Sequence, residues 1–419
     1  MSATSTTSRR TDAAFWSTAA ALLALIAGTE IPTPLYVLYR NRFGLSNTML
    51  TTIFATYALA LIPTLLIGGR LADRFGRRRL VVAGLLGAAV GSMLLAMAAG
   101  TAGLLAGRAV QGMAVGIATG AATAALVELD TRGGRAASVA TSAVAGGGAV
   151  GPLLGGLLAQ YAPSPSVLSY SIETVALLAI AAAVSTTGDW PLPSGPGTAK
   201  PSPRIPPEIR IRFARIGIGV FTAWSVGALY TSVVPSYAVE LLGTRNLAVL
   251  GAVAFLMLAT AAATQSTLRS IPDRIAEPTG FALLIAGLIA LVIAFPTQSA
   301  RWLATSAVLD GIGLGLAFLS TQAELNRIAP PDRRAELSAA FNVCLYCGVA
   351  FPVLGVGIAA DVTSLFSAVA AFAAVIGTLA ALTIGWTLRG RRSPVGRNHA
   401  AESSEEGRLA ETGCAFDRQ

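Results

Sequence analysis

The sequence predicts an all-α polytopic membrane protein: twelve transmembrane helices in two pseudo-symmetric six-helix bundles. Three observations predict it. Of the 419 residues, 54% are hydrophobic and 12% charged, about half the charge of ordinary soluble domains, and mean hydropathy is +0.66. Twelve stretches are long and apolar enough to cross a bilayer, which takes about 20 residues each. The basic residues fall almost wholly on one side of those stretches. The same composition excludes a disordered chain, a disulfide scaffold and a collagen-like repeat.

In chain order the spans are 15–38, 47–69, 80–99, 101–127, 136–160 and 166–186, then 213–240, 246–268, 279–296, 301–323, 336–360 and 363–388. The first follows Arg9 and Arg10, as a signal peptide would, but its apolar run is too long and it opens a series of further spans. Residues 1–14 form an N-terminal segment, 15–186 the first bundle, and 213–388 the second. Between them, 187–212 carries Pro191, Pro193, Pro196, Pro201, Pro203, Pro206 and Pro207 and reads as a polar linker. The tail, 389–419, is polar and mixed in charge, and is expected to be disordered.

The formal charge of +9 does not form a nucleic-acid-binding face, because the basic residues are scattered between apolar stretches. Sorted by loop with the N-terminus inside, 25 arginines and lysines lie inside. Only Arg40, Arg42, Arg245 and Arg301 lie outside, and Arg108 is within a span. This positive-inside bias predicts a multi-pass inner (plasma) membrane protein with both termini and the linker cytoplasmic.

The halves echo one another. Asp73-Arg74 recurs as Asp273-Arg274, and Pro152 as Pro352, each 200 residues on; Gln111-Gly112 with Gly116 matches Asp310-Gly311 with Gly315 at 199. Duplication explains three near-equal offsets, and two halves around a midplane site suit a rocking transporter.

The loop after span two reads Gly69-Arg70-Leu71-Ala72-Asp73-Arg74-Phe75-Gly76-Arg77-Arg78-Arg79. With the 6+6 count, this resembles the major facilitator superfamily of secondary transporters over about residues 12–390. The resemblance implies the major facilitator fold, with Gly69, Asp73, Arg74, Gly76 and Arg77 as a cytoplasmic gate motif that latches the halves. Its second-half copy has Pro278 where a glycine or basic tail is expected, so the latch is asymmetric. Gly107-Arg108-Ala109-Val110-Gln111-Gly112 in span four is similar to a second superfamily motif, whose buried arginine takes part in proton coupling. In span five, Gly147, Gly151, Pro152, Gly155 and Gly156 resemble the motif of the proton-antiporter branches, particularly drug exporters. Small-residue helix packing accounts for part of that pattern.

Ionisable residues inside a membrane span mark functional sites. Glu30, followed by Pro32 and Pro34, lies about 12 Å from the outer helix end and Arg108 about 10 Å, at 1.5 Å per residue. Glu173 and Asp310 fall at similar depths. Facing inward, the four would make one polar layer, and they are the proton-coupling candidates. Tyr36, Gln111, Tyr230, Asn342 and Tyr346 are the cavity candidates. Cys344 and Cys347 form a C-x-x-C without a second pair and read as packing residues, so no metal and no cofactor are expected. No Gly-x-x-x-x-Gly-Lys sequence is present, so no ATPase machinery is visible.

The expected function is secondary active transport, not enzymatic chemistry: proton-coupled efflux of small apolar or amphipathic compounds by alternating access. The partners are the small-molecule substrate, protons and the lipid bilayer, and the chain is expected to work as a monomer. The alternative is a proton-coupled importer (symporter) of a small metabolite. A non-transporting receptor is disfavoured by the lack of a large soluble domain.

Overall fold

The structure, a computed structural model, describes residues 2–187, 190 and 205–392. Most of the predicted linker and nearly all of the predicted tail lie outside the described residues. Among the described residues, twelve helices are long and apolar enough to cross a membrane. The first crossing is broken in two, α1 (Ser2–Glu30) and α2 (Pro32–Phe43). Then follow α3 (Asn47–Phe75), α4 (Arg77–Ala96), α5 (Thr101–Leu129), α6 (Ala136–Tyr161) and α7 (Pro165–Thr186). The second half begins with α8 (Arg210–Ser232) and a short α9 (Val234–Leu242), then α10 (Leu247–Thr267) and α11 (Asp273–Ala294). It ends with α12 (Ala300–Ile328), α13 (Arg334–Val362) and α14 (Leu365–Arg392).

Several boundaries differ from the sequence reading: α3 continues to Phe75 past the expected 69, α11 begins at Asp273 and not at 279, and α12 runs on to Ile328 past 323. The first crossing runs Thr11–Phe43, past the expected end at 38, because polar Arg40 and Arg42 are absorbed into the last turn of α2 before it stops at Gly44. The helical turn at Pro207–Ile209 leads directly into α8, inside the predicted linker. Proline suits the first turn of a helix, where its missing N–H costs nothing.

The internal repeat is visible in the turns. Gly44 and Gly243 end α2 and α9 in the left-handed conformation, both at φ 62°, which a residue without Cβ adopts freely. Ser46 and Asn246, 200 residues apart, then cap α3 and α10 through bonds to Met49 N–H and Ala248 N–H. The matched glycines pack alike: Gly112 and Gly116 seat α5 on Tyr57 and Thr64 of α3, while Gly311 and Gly315 seat α12 on Thr260 and Thr264 of α10.

Two seams join the bundles, α6 against α10 and α13 against α3. Both rely on close backbone approach. Gly156 lies against Ala248 and Gly251, and at offsets near 200 Gly357 lies against Asn47 and Thr51. At the end opposite the arginine-rich loops, which we call the far end, each seam is closed by a side chain capping the other bundle's helix. Gln160 Oε1 accepts from Leu247 N–H at 2.8 Å. Its counterpart 201 residues on, Asp361, accepts from Asn47 N–H, Asn47 Nδ2 and Thr48 N–H, each at 2.9 Å.

Opening the far end must break both caps. Asp361→Ala removes charge-assisted bonds at an exposed site, a loss of about 1 kcal/mol after solvent screening, or roughly fivefold in the closed-to-open ratio. A cysteine at Ser236, beneath the α13–α3 seam, should accordingly label faster from the far face in that variant. Gln160→Ala should have a smaller effect.

Candidate functional site

The break in the first crossing creates the site. Pro32 and Pro34 have no N–H, so the carbonyls of Gly28 and Glu30 lose their helical donors four residues on. In a bilayer such groups must be bonded by protein. Arg108 and Gln111, three apart on one face of α5, meet the break. Gln111 Nε2 donates to Gly28 O at 3.1 Å, and Arg108 Nη1 donates to Thr29 O at 2.9 Å and to Gln111 Oε1 at 2.7 Å. The guanidinium lies 4.6 Å from the centroid of the Tyr57 ring, and Arg108 is 1% exposed. One carbonyl, an amide oxygen and a π face thus hold the cation; among the described residues it makes no ion pair within 4 Å.

The structure divides the four predicted ionisable groups. Glu173 of α7 is buried in the first bundle, with Oε1 3.5 Å from Gln111 Nε2 and Oε2 without a hydrogen-bond partner. Gly28 makes the space: a Cβ there would lie 2.8 Å from the Glu173 carboxyl carbon. Glu30 is partly exposed, accepts from Thr33 Oγ1 at 3.3 Å, and lies within electrostatic reach of Arg108 and of Tyr346 in the other bundle. Asp310 is elsewhere. Fully buried in the second bundle, it accepts from Tyr230 Oη at 2.9 Å and Ser306 Oγ at 3.4 Å. Depth along a helix does not say which way a side chain points, so the single polar layer becomes two clusters.

Of the cavity candidates, Asn342 and Tyr346 are partly exposed on α13, and Tyr346 faces Tyr57 across the interface. Tyr36 is buried with its hydroxyl unpartnered; Gln111 and Tyr230 are buried in the clusters just described. On α6, Gly147, Gly151 and Gly155 lie against Ala27, Glu30 and Ile31 of the first crossing, whereas Pro152 and Gly156 meet Gly251 and Ala248 of α10. One glycine-rich helix therefore serves both the broken helix and the seam. Cys344 packs against Gly217, and no group of metal-ligating side chains occurs among the described residues. The sequence reading missed Gly28, Thr29, Tyr57 and Ser306. Pro32 carried a usable signal, since it orphans the carbonyl of Gly28.

Comparison with known proteins follows the same lines. The profile described as Major Facilitator Superfamily matches residues 17–351 and 273–419. The chain belongs to the Major Facilitator Superfamily. As a member of this superfamily it is a membrane transporter, not an enzyme. It is similar to the puromycin resistance protein pur8 of Streptomyces alboniger, 38% identical over 39% of this chain and 32% of that one; the match thus spans about a third of that relative. Similarity to the multidrug resistance protein MdtL of Klebsiella pneumoniae (strain 342) is 26% over 73% of this chain and 78% of the relative. The crystal structure of a POT family transporter in complex with 5-aminolevulinic acid shares the fold, with TM-score 0.73 at 13% identity over 91% of this chain and 96% of that one.

The superfamily's loop motif sits at the arginine-rich end. Gly76, at φ 86°, turns α3 into α4. Arg77 pairs with Glu128 at 2.8 Å, and Arg78 Nε donates to Val184 O at 3.1 Å. Arg74 lies over the Phe75 ring, and Gly69 and Asp73 are exposed. Asp73 forms no ion pair among the described residues. The second half differs: Asp273 pairs with Arg327, and Arg215 bridges Glu324 and Glu277. Nearby, burial raises the Asp130 carboxyl, but the Ala136 N–H and the Arg135 guanidinium outweigh it and hold the group below its usual value. Each of these ion pairs stays within one bundle.

Gln111→Leu leaves the Gly28 carbonyl and the Arg108 guanidinium short of partners. Unfolding of the reconstituted protein should show a loss of about 1–3 kcal/mol, against near zero for Gln322→Leu at an exposed position.

Proposed function

We propose that this transporter is a proton-coupled antiporter that expels small apolar or amphipathic compounds by alternating access. The observation that carries the reading is the placing of Glu30. It stands at the break of the first crossing, partly exposed at the junction of the bundles and within electrostatic reach of Arg108. Such a carboxylate can exchange its proton with whichever side is open, and Arg108 feels the change. As an anion Glu30 is drawn to the guanidinium; a proton on it removes that attraction. Because Arg108 is bonded to Thr29 O, the strain reaches the helix itself, and a group bound differently by two states shifts their populations.

The remaining features fit. Gly151 brings α6 onto Glu30, where a Cβ would lie 2.7 Å from the glutamate's own. Pro152 and Gly156 of the same helix form the α6–α10 seam, so motion at the break and at the seam share one rigid element. Asn342 and Tyr346 border the interface and are the groups we assign to substrate contact. The arginine bias supports a cytoplasmic location for the arginine-rich end, the termini and the gate motif. The structure is then closed to the outside, and Asp73, without an ion pair among the described residues, engages when the cytoplasmic side closes. The names of pur8 and MdtL favour export. The chain acts as a monomer, with substrate, protons and the bilayer as its partners.

The test uses inside-out vesicles with puromycin and a panel of amphipathic dyes as probes. An imposed pH gradient, acid inside, should drive uptake of a probe into the vesicles. Glu30→Gln should reduce gradient-driven uptake at least tenfold while probe binding persists. Probe movement driven in the opposite direction would establish the importer; flux indifferent to the gradient would remove proton coupling.

A further inference from the structure

The second bundle holds a carboxylate that the Glu30 site does not use. We infer that Asp310 is a second proton-binding site, separate from Glu30, positioned by Tyr230 and Ser306 and reached from the far end of the molecule. The inference rests on the proton-coupled reading but concerns a different bundle and a different route.

The internal repeat shows what is unusual about Asp310. Its counterpart in the first bundle is Gln111, an amide that leans on Arg108. The counterpart of Arg108 is Ala307, and that of Glu30 is Tyr230. The second bundle therefore carries an acid where the first has an amide, and lacks the arginine altogether. Asp310 is fully buried, and no cation pairs with it among the described residues. Tyr230 is the titratable side chain that contacts it, with Tyr237 of α9 acting on Tyr230 from behind. From α11 comes Gly287, and α10 brings Met257 and Thr260 to the adjoining Gly311. A bare anion in such a place is costly, and a proton is the smallest partner that removes the cost.

The hydrogen bonds point to the atom. Tyr230 and Ser306 both donate to Oδ2, and they also contact each other. Oδ1 is buried with no partner and is the oxygen left to receive a proton. Gly287 keeps that side open: a Cβ there would lie 2.8 Å from even the farther carboxylate oxygen. The step is a simple transfer, in which hydronium gives its proton to Oδ1 and leaves as water.

A point of entry lies at the far end. Beneath the Asp361 cap a water-sized crevice lies between α3, the α8–α9 break and α13, with polar Asn47, Thr51, Ser232 and Ser236 in its wall. Val233, also in the wall, stands one turn beyond Tyr230 on the same helical face. Pro235 withholds the donor that the Thr231 carbonyl would otherwise have, adding an acceptor beside the path.

The experiment counts protons on the purified full chain, so it needs no transported probe. Over one pH interval, Asp310→Asn and Glu30→Gln should each bind one proton fewer than the unsubstituted chain, and the double variant two fewer. An Asp310→Asn protein that binds as many protons as the parent, or a double variant that loses only one, overturns the second site. Should Asp310→Asn not fold, Tyr230→Phe provides the test: removing its bond to Oδ2 should shift the infrared carbonyl band of a protonated carboxyl, and an unmoved band overturns the proposal. Sodium that displaces the proton stoichiometrically at fixed pH overturns it in favour of a metal cation. Vesicle flux that ignores a pH gradient would refute antiport while leaving these proton counts as they stand.

Discussion

Inside a bilayer no water is available to bond a stray carbonyl, and this constraint organises the first bundle. Pro32 takes the donor from Gly28, and the chain answers from α5: Gln111 reaches Gly28 O and Arg108 reaches Thr29 O. The requirement of the backbone thus fixes where the buried cation sits. Gln111 in turn ties the cluster to Glu173, and the missing side chain of Gly28 leaves room for that carboxylate. Glu30, one residue past the clasped carbonyl of Thr29, inherits its position beside Arg108 from the same break.

The second constraint is duplication followed by divergence. Turns, caps, glycine contacts and seams recur at offsets close to 200, down to the pairing of Gln160 with Leu247 and of Asp361 with Asn47. Such symmetry allows two bundles to meet at either end with similar energy, as alternating access requires. The ionisable groups break it. One bundle holds Arg108 with two acids, the other Asp310 with two hydroxyls, and in the proposed antiport it is through these groups that protons would bias the two states. The caps at the far end give that bias something definite to make or break.

Much of the fold was legible in the sequence because bilayer thickness writes it plainly. Twelve apolar runs, the recurrence of Asp73-Arg74 at 273–274 and of Pro152 at 352, and the repeated Gly-x-x-x-Gly spacing led to spans and halves that the structure and the superfamily match uphold. The site was legible in part. Arg108 and Gln111 were singled out, yet their partners were not, since those are backbone carbonyls and carry no residue-type signature. Asp310 was set in one layer with Glu30 because depth alone was read; rotation about its helix turns its side chain into the second bundle, against Tyr230 and Ser306. Asp361 and Gln160 were not singled out; the offset of 201 between them, together with the capped helices opposite, distinguishes them. Pro207 was counted with the linker prolines although its position suits the start of a helix.

In the proposed antiport, the Arg108 clasp links protonation to the shape of the molecule. The most direct test is the spin-label distance across the far end of the α6–α10 seam, followed against pH in the reconstituted protein. The unsubstituted chain should shift between a short and a long separation as pH changes. In Arg108→Lys, which keeps the charge but lacks the planar guanidinium that lies over Tyr57 while its Nη1 reaches Thr29 O and Gln111 Oε1, the distance should no longer respond. A pH response that survives unchanged in Arg108→Lys would contradict the account.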